Sequence, residues 1–350
     1  MAPEPLLATR AQRLFISTNV AEAIVVLVMV AITFRLVEDE VSFTDGLKTL
    51  PCYLALFALA EIFELIMAFD ALRMRNIIQL IGILLFHLAL LVFAAVQVDQ
   101  TKDAIVTMSG SDCEGPGALL NCDVPGSLWR RVQPYLIIAP CAIAVAWVAM
   151  CFWIKALYAE FGWAIFHIVG ANPKMKTMYQ VYQIMLCLLK FDFFFFTAVT
   201  MQLLILVLDR DSAEFGVTIA AIPVVLTLLA LCGLAVQREI KWLMTISLVL
   251  MLAAESYFFK LVRFYEPATR GQYNTTRVSL TIFTIVAFLL LFATFAVGLK
   301  TFADFDRGLA ESKVNEKPTR PTYTSQSSSG MQHNNSYTAG TTLGPRISIE

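Results

Sequence analysis

Leu186-Cys187-Leu188-Leu189-Lys190-Phe191-Asp192-Phe193-Phe194-Phe195-Phe196 places a cation and an anion inside the longest apolar run of the chain. No other charged residue interrupts that run between Lys176 and Asp209. About 20 apolar residues suffice to cross a hydrocarbon core of roughly 30 Å, so the stretch reads as a membrane-spanning helix. An ionised side chain inside such a span costs roughly 2.5–3.5 kcal/mol on insertion scales. Lys190 and Asp192 must therefore find protein, water or headgroups.

The rest of the chain repeats the pattern. Of 350 residues, 58% are hydrophobic and 15% charged, and the mean hydropathy is +0.70. A soluble domain is nearer half apolar and a quarter charged. Eight candidate spans emerge, at about Leu14–Phe34, Leu50–Phe69, Ile77–Val98, Tyr135–Ile154, Leu188–Leu208, Phe215–Val236, Trp242–Val262 and Val278–Leu299. Lipid-facing segments must satisfy their own backbone hydrogen bonds, which makes these helices. The expected fold is an all-α polytopic membrane protein with about eight transmembrane helices. The first run is too long, and too acidic at its end, for a cleavable signal peptide, and reads as a signal-anchor. A net charge of −1 gives no footprint for nucleic acid. The lipid bilayer is the partner the composition implies.

An even number of spans puts both termini on one side. Short connections after spans two, four and six carry Arg73 and Arg75, Lys174 and Lys176, and Arg238 and Lys241; Lys300, Arg307, Lys313 and Lys317 follow the last span. Positive residues near span ends favour the cytosol. Lys48, Arg130, Arg131, Arg210, Arg263, Arg270 and Arg277 on the opposite side weaken that bias. Two cues add to it. Asn274 opens an Asn-Thr-Thr glycosylation acceptor in a connection that is then lumenal. Cys113 and Cys122 share the long loop 99–133, where an oxidising lumen would permit a disulfide. The organisation expected is a cytosolic head 1–13, a helix bundle 14–302 with lumenal loop 99–133, and a disordered cytosolic tail 303–350. That tail is rich in Ser, Thr, Gly, Asn and Pro. It reads either as a solubilising tail or as a site for phosphorylation or a cytosolic adaptor. Phe161–Thr177 reads as an amphipathic helix lying at the interface.

Other ionisable groups inside spans are Glu22, Glu61, Glu64, His87, Glu255 and Lys260. Lys190 and Asp192 are two residues apart, so they point to different sides of one helix. Glu61 and Glu64 share a face. Matching depths predicts that Lys190 pairs with Glu64 or Glu22, giving a buried polar network of Lys190, Asp192, Glu64, Glu61 and Glu22. Such a network either fixes helix packing or forms a pathway for protons, ions or a polar substrate. Snorkelling without a partner is a third reading for Lys190. A helix over Tyr179–Leu208 would be about 45 Å long, which moves Lys190 to within a turn of the cytosolic boundary. The pair then resembles a charged mouth more than a midplane site.

His87, His167 and His333 lack metal-ligand spacing, so neither metal nor cofactor is expected. No nucleophile or phosphate loop accompanies the paired carboxylates, and the chain reads as non-enzymatic. No internal repeat stands out. The aromatics Phe191–Phe196 read as packing rather than a ligand cage.

Three ordered blocks support a family resemblance: Leu188–Phe196, Glu214–Pro223 and Tyr257–Arg263. Together they resemble, over roughly residues 180–310, an uncharacterised fungal family of Golgi-apparatus multi-pass membrane proteins. The resemblance implies a location, not an activity. Two functions remain open: a pathway for a small solute, ion or lipid through the bundle, or a non-catalytic scaffold or trafficking factor acting through its tail and loops. No feature of the chain specifies an oligomeric state.

Overall fold

Each apolar run becomes one helix. In the computed structural model, which describes residues 7–39, 49–106, 122–169, 173–206, 213–261 and 277–305, these are α1 (Arg10–Glu38), α2 (Thr49–Arg73), α3 (Ile77–Ile105), α4 (Leu128–Val169), α5 (Pro173–Leu206), α6 (Ala213–Arg238), α7 (Lys241–Leu261) and α8 (Arg277–Ala303). No strand occurs among the described residues. Six of the helices, α1 to α5 and α8, are long and apolar enough to cross a membrane. In α6 the described apolar stretch, Ile222–Arg238, is shorter. The all-α polytopic fold is as expected, with eight helices among the described residues at the eight positions.

Packing divides the helices into two rings of four. In the first, α1 packs on α2, α2 on α3, α3 on α4, and α4 closes back on α1. In the second, α5, α6, α7 and α8 follow the same order, with α8 closing on α5. The bundles meet chiefly where α5 lies against α2 and α3. Both are internally alike at one further point. The α2–α3 and α6–α7 connections are tight turns in which Arg75 (φ 48°) and Glu239 (φ 55°) take the left-handed conformation. The residue after each donates its N–H five positions back, Asn76 to the Ala71 carbonyl and Ile240 to the Ala235 carbonyl, both at 3.0 Å. Asn76 then caps α3, its side chain accepting from the N–H groups of Ile78 and Gln79. This twofold architecture was not evident as a sequence repeat.

Several boundaries are corrected. Phe161–Thr177 is not one interfacial helix: α4 runs unbroken to Val169 and α5 begins at Pro173. Pro134 and Pro140 lie inside α4, and Pro223 inside α6, without ending either helix. The connection expected at 99–133 is shorter, because α3 persists to Ile105 and α4 starts at Leu128. Helices extend past their apolar windows because interfacial polar residues still form helix once a neighbour packs on them. The tail beyond residue 305, Cys113 and Asn274 lie outside the described residues. Cys122 is buried and disulfide-bonded.

An aromatic seam joins the bundles. Phe63 of α2 stacks on Phe194 of α5 with ring centroids 4.8 Å apart, and Phe86 of α3 meets Phe194 edge-on at 4.8 Å. Phe191 joins both at 5.7 and 5.8 Å, and Phe195 reaches Phe283 of α8 at 5.9 Å. Gly82 permits this approach of α3 to α5, since a Cβ there would sit 2.9 Å from the Phe191 ring and 3.2 Å from Cys187 Sγ. The phenylalanine run is thus mostly interhelical packing; Phe191 and Phe194 are buried and Phe193 is 40% exposed.

Candidate functional site

The first bundle carries its polar groups where a membrane protein can least easily hold them. Glu61 is the central residue of α2, and Glu64 follows one turn later on the same face. Across from them lie Glu22 of α1 and His87 of α3. Their exposures are 1%, 2%, 5% and 0%. Helix periodicity alone puts Asn19 and Glu22 on one face of α1, and Asn19 is 1% exposed.

Two contacts organise the cluster. His87 Nδ1 lies 2.6 Å from Glu64 Oε1, and His87 Nε2 lies 3.0 Å from the carbonyl oxygen of Ile143 on α4. A carbonyl only accepts, so Nε2 must carry a proton. The Nδ1···Oε1 contact then needs a second proton, held by imidazolium or by a carboxylic acid. Either assignment makes the His87–Glu64 pair neutral overall. Glu22 and Glu61 add two further buried carboxyls beside this pair.

The cluster is not saturated. Glu22 Oε1, Glu61 Oε1, Glu64 Oε2 and both amide atoms of Asn19 are buried and meet no donor or acceptor among the described residues. Buried oxygens of this kind ordinarily contact water or an ion. Towards the end bearing the α2–α3 turn, α1 continues with buried Gln12, whose Nε2 donates to Glu160 Oε1 of α4 at 2.5 Å. Thr9 Oγ1 donates to Glu160 Oε2 at 3.0 Å. Towards the opposite end, the core is apolar through Val26, Val30, Phe57, Leu90 and Ala94, before polar groups return at Thr33 and Gln97.

Lys190 does not join this cluster, and the expected pairing with Glu64 or Glu22 is corrected. Its ammonium donates to Asp70 Oδ2 and, at 2.9 Å, to Gln79 Oε1. Gln79 Nε2 donates in turn to Asp70 Oδ2 at 2.9 Å and to the Met67 carbonyl at 3.0 Å. Glu64 is already engaged by His87, and Glu22 sits on α1, which packs against α2 and α4. Asp70 lies in the last turn of α2, at the level Lys190 reaches. The Lys190 and Asp70 side chains are 35% and 34% exposed, so this triad sits at the edge of the bundle.

Asp192 points the other way, as its spacing from Lys190 required. Thr294 Oγ1 of α8 donates to Asp192 Oδ2 at 2.5 Å, inside the second bundle. Asp192 Oδ1, and both side-chain polar atoms of the fully buried Gln202, have no partner among the described residues. Of the five network residues named from the sequence, the fold brings together Glu22, Glu61 and Glu64 and separates Lys190 and Asp192. His87, read from the sequence only as an ionisable group inside a span, completes the cluster. Asp70, Gln79 and Asn19 were not singled out at all.

No family model matches the chain, and no solved structure matches it. A UPF0658 Golgi apparatus membrane protein of Schizosaccharomyces pombe is 30% identical to it over 278 residues, covering 76% of this chain and 79% of that protein. The alignment is longer than the three blocks that first carried the resemblance, and it reaches beyond the second bundle. The chain belongs to the UPF0658 family of Golgi apparatus membrane proteins.

Proposed function

We propose that this protein resides in the Golgi membrane with both termini cytosolic, and that its first bundle provides a pathway through which a proton or small cation is exchanged. The observation that carries this reading is the Glu22–Glu61–Glu64–His87 cluster at the middle of the bundle, with buried oxygens that no donor among the described residues satisfies. Ionisable groups at that depth are expensive and are typically retained for ion or proton movement. Polar side chains at Gln12 and Asn19 support entry from the end bearing the α2–α3 turn. That the relative is a Golgi apparatus membrane protein supports the Golgi assignment. No nucleophile or cofactor motif accompanies the cluster, and the protein is proposed to be non-enzymatic.

The second reading is a scaffold or trafficking factor acting through its tail and loops. The pairing of Lys190 with Asp70 and Gln79 favours it, because that triad joins three helices. Purified full-length protein in liposomes, driven by a potassium diffusion potential and followed with an internal pH dye, separates the two. The pathway predicts proton entry above empty vesicles and a fall of about tenfold or more in Glu61→Gln. Entry no faster than in empty vesicles, with Glu61→Gln fully functional in cells and loss of function confined to a tail truncation, would establish the scaffold.

A further inference from the structure

The seam between the bundles is closed at one end by Lys190, Asp70 and Gln79, and filled in its middle by phenylalanine rings. At the opposite end it opens. There α2 and α3 on one side, and α5 and α8 on the other, leave a cavity of about 410 Å³. Its walls include Ala60, Phe86, Leu90, Phe194 and Phe283. Side chains at its mouth are those a membrane protein turns to lipid: Leu85 is 63% exposed, Val92 58% and Ile282 45%. Close-packed interiors rarely leave more than water-sized voids, and this volume falls within the range of ligand cavities.

Two features define what fits. The cleft follows α3 from Leu85 to Gln100, a distance of about 22 Å at roughly 1.5 Å per residue. It is therefore long, narrow and apolar, and its mouth opens sideways to lipid. Its far end is polar. Gln100 lines it and accepts from the Tyr53 hydroxyl at 2.5 Å. Ser279 also lines it, is 2% exposed, and its hydroxyl oxygen has no hydrogen-bond partner among the described residues. A buried hydroxyl without a partner is costly and calls for an acceptor in the cleft.

We propose that this cleft binds one acyl chain of a glycerophospholipid, drawn in laterally from the leaflet opposite the Lys190–Asp70 end, with its ester carbonyl accepting from Ser279. The chain fills the apolar length, the ester meets the orphan hydroxyl, and the headgroup remains at the membrane surface near Gln100. Lipid is the solvent that contacts the mouth, so no carrier is needed to deliver the ligand. The site is separate from the Glu–His cluster and would bind whether or not that cluster conducts.

The test uses the full chain in phosphatidylcholine liposomes containing a trace of phosphatidylcholine with a diazirine midway along one acyl chain. After illumination, peptide mass spectrometry locates the label. Binding predicts label concentrated on Val92 and Ile282, about fivefold above Val145 and Val249, which are more exposed still at 73% and 63%. Ala89→Trp, which fills the mouth, should abolish that excess, while Val145→Trp leaves it intact. Ser279→Ala is small enough to preserve packing and should lower the excess about fivefold, as loss of one hydrogen bond requires. Label spread in proportion to exposure, an excess unmoved by both Ala89→Trp and Ser279→Ala, or a sterol probe taking the cleft in preference would each overturn the proposal.

Discussion

Replacing Lys190 by methionine keeps its aliphatic stem and removes only the ammonium. Two bonds are lost, to Asp70 Oδ2 and to Gln79 Oε1. Exposed ion pairs contribute about 0.2–1 kcal/mol, and hydrogen bonds to charged groups about 1.5–3 kcal/mol when protected from water. Both side chains are about one third exposed, so solvent screening pulls the value towards the lower range. Asp70 also keeps its bond from Gln79 Nε2. Lys190→Met should therefore cost about 1–2 kcal/mol, with a coupling to Asp70→Ala of about 1 kcal/mol in a double-mutant cycle. The measurement is reversible unfolding of the full chain in mixed micelles by sodium dodecyl sulphate, followed by tryptophan fluorescence. A second cycle, Lys190→Met with Glu64→Gln, serves as control and should be additive, because Glu64 bonds to His87 instead. Additivity with Asp70→Ala, together with coupling of about 1 kcal/mol or more to Glu64→Gln, would refute the assignment of Lys190 to the bundle edge.

His87→Ala leaves the buried Glu64 without its partner and should destabilise by about 3–5 kcal/mol in the same titration. Thr294→Val removes the donor to Asp192 without changing shape, and should cost about 1–3 kcal/mol. Glycines separate packing from propensity: Gly82→Ala should destabilise by about 1 kcal/mol or more because the Phe191 ring must move within its stack. Gly233→Ala meets no atom within 4 Å and should stabilise by up to about 1 kcal/mol.

The helices were readable because each has to satisfy its backbone alone in lipid, so length and apolarity leave little choice. Their partners were not. Asp70 fell one residue beyond the apolar window ending at Phe69, yet α2 continues to Arg73 and carries it to Lys190. Hydropathy measures the bilayer, whereas the helix ends where its capping bonds end. Depth does contain a signal for the cluster: Glu61 and His87 each fall near the middle of the spans Leu50–Phe69 and Ile77–Val98, and adjacent spans at one depth are natural partners. What it lacked was direction around the helix axis, which only packing supplies. The amphipathic reading of Phe161–Thr177 failed for a related reason. The segment belongs to two long helices, α4 ending at Val169 and α5 starting at Pro173, and a composition window cannot show where one helix stops and the next begins.

The two left-handed turns also constrain how the protein is made. Residues 74–76 and 239–240 are all that separate α2 from α3 and α6 from α7. A connection that short favours insertion of each pair as a hairpin, its tip bonded as the second helix forms. Only afterwards can α1 and α4, or α5 and α8, complete their rings. Biogenesis would then proceed in units of two central helices and two later clamps, and lengthening either turn should yield mixed topologies before it affects the finished fold.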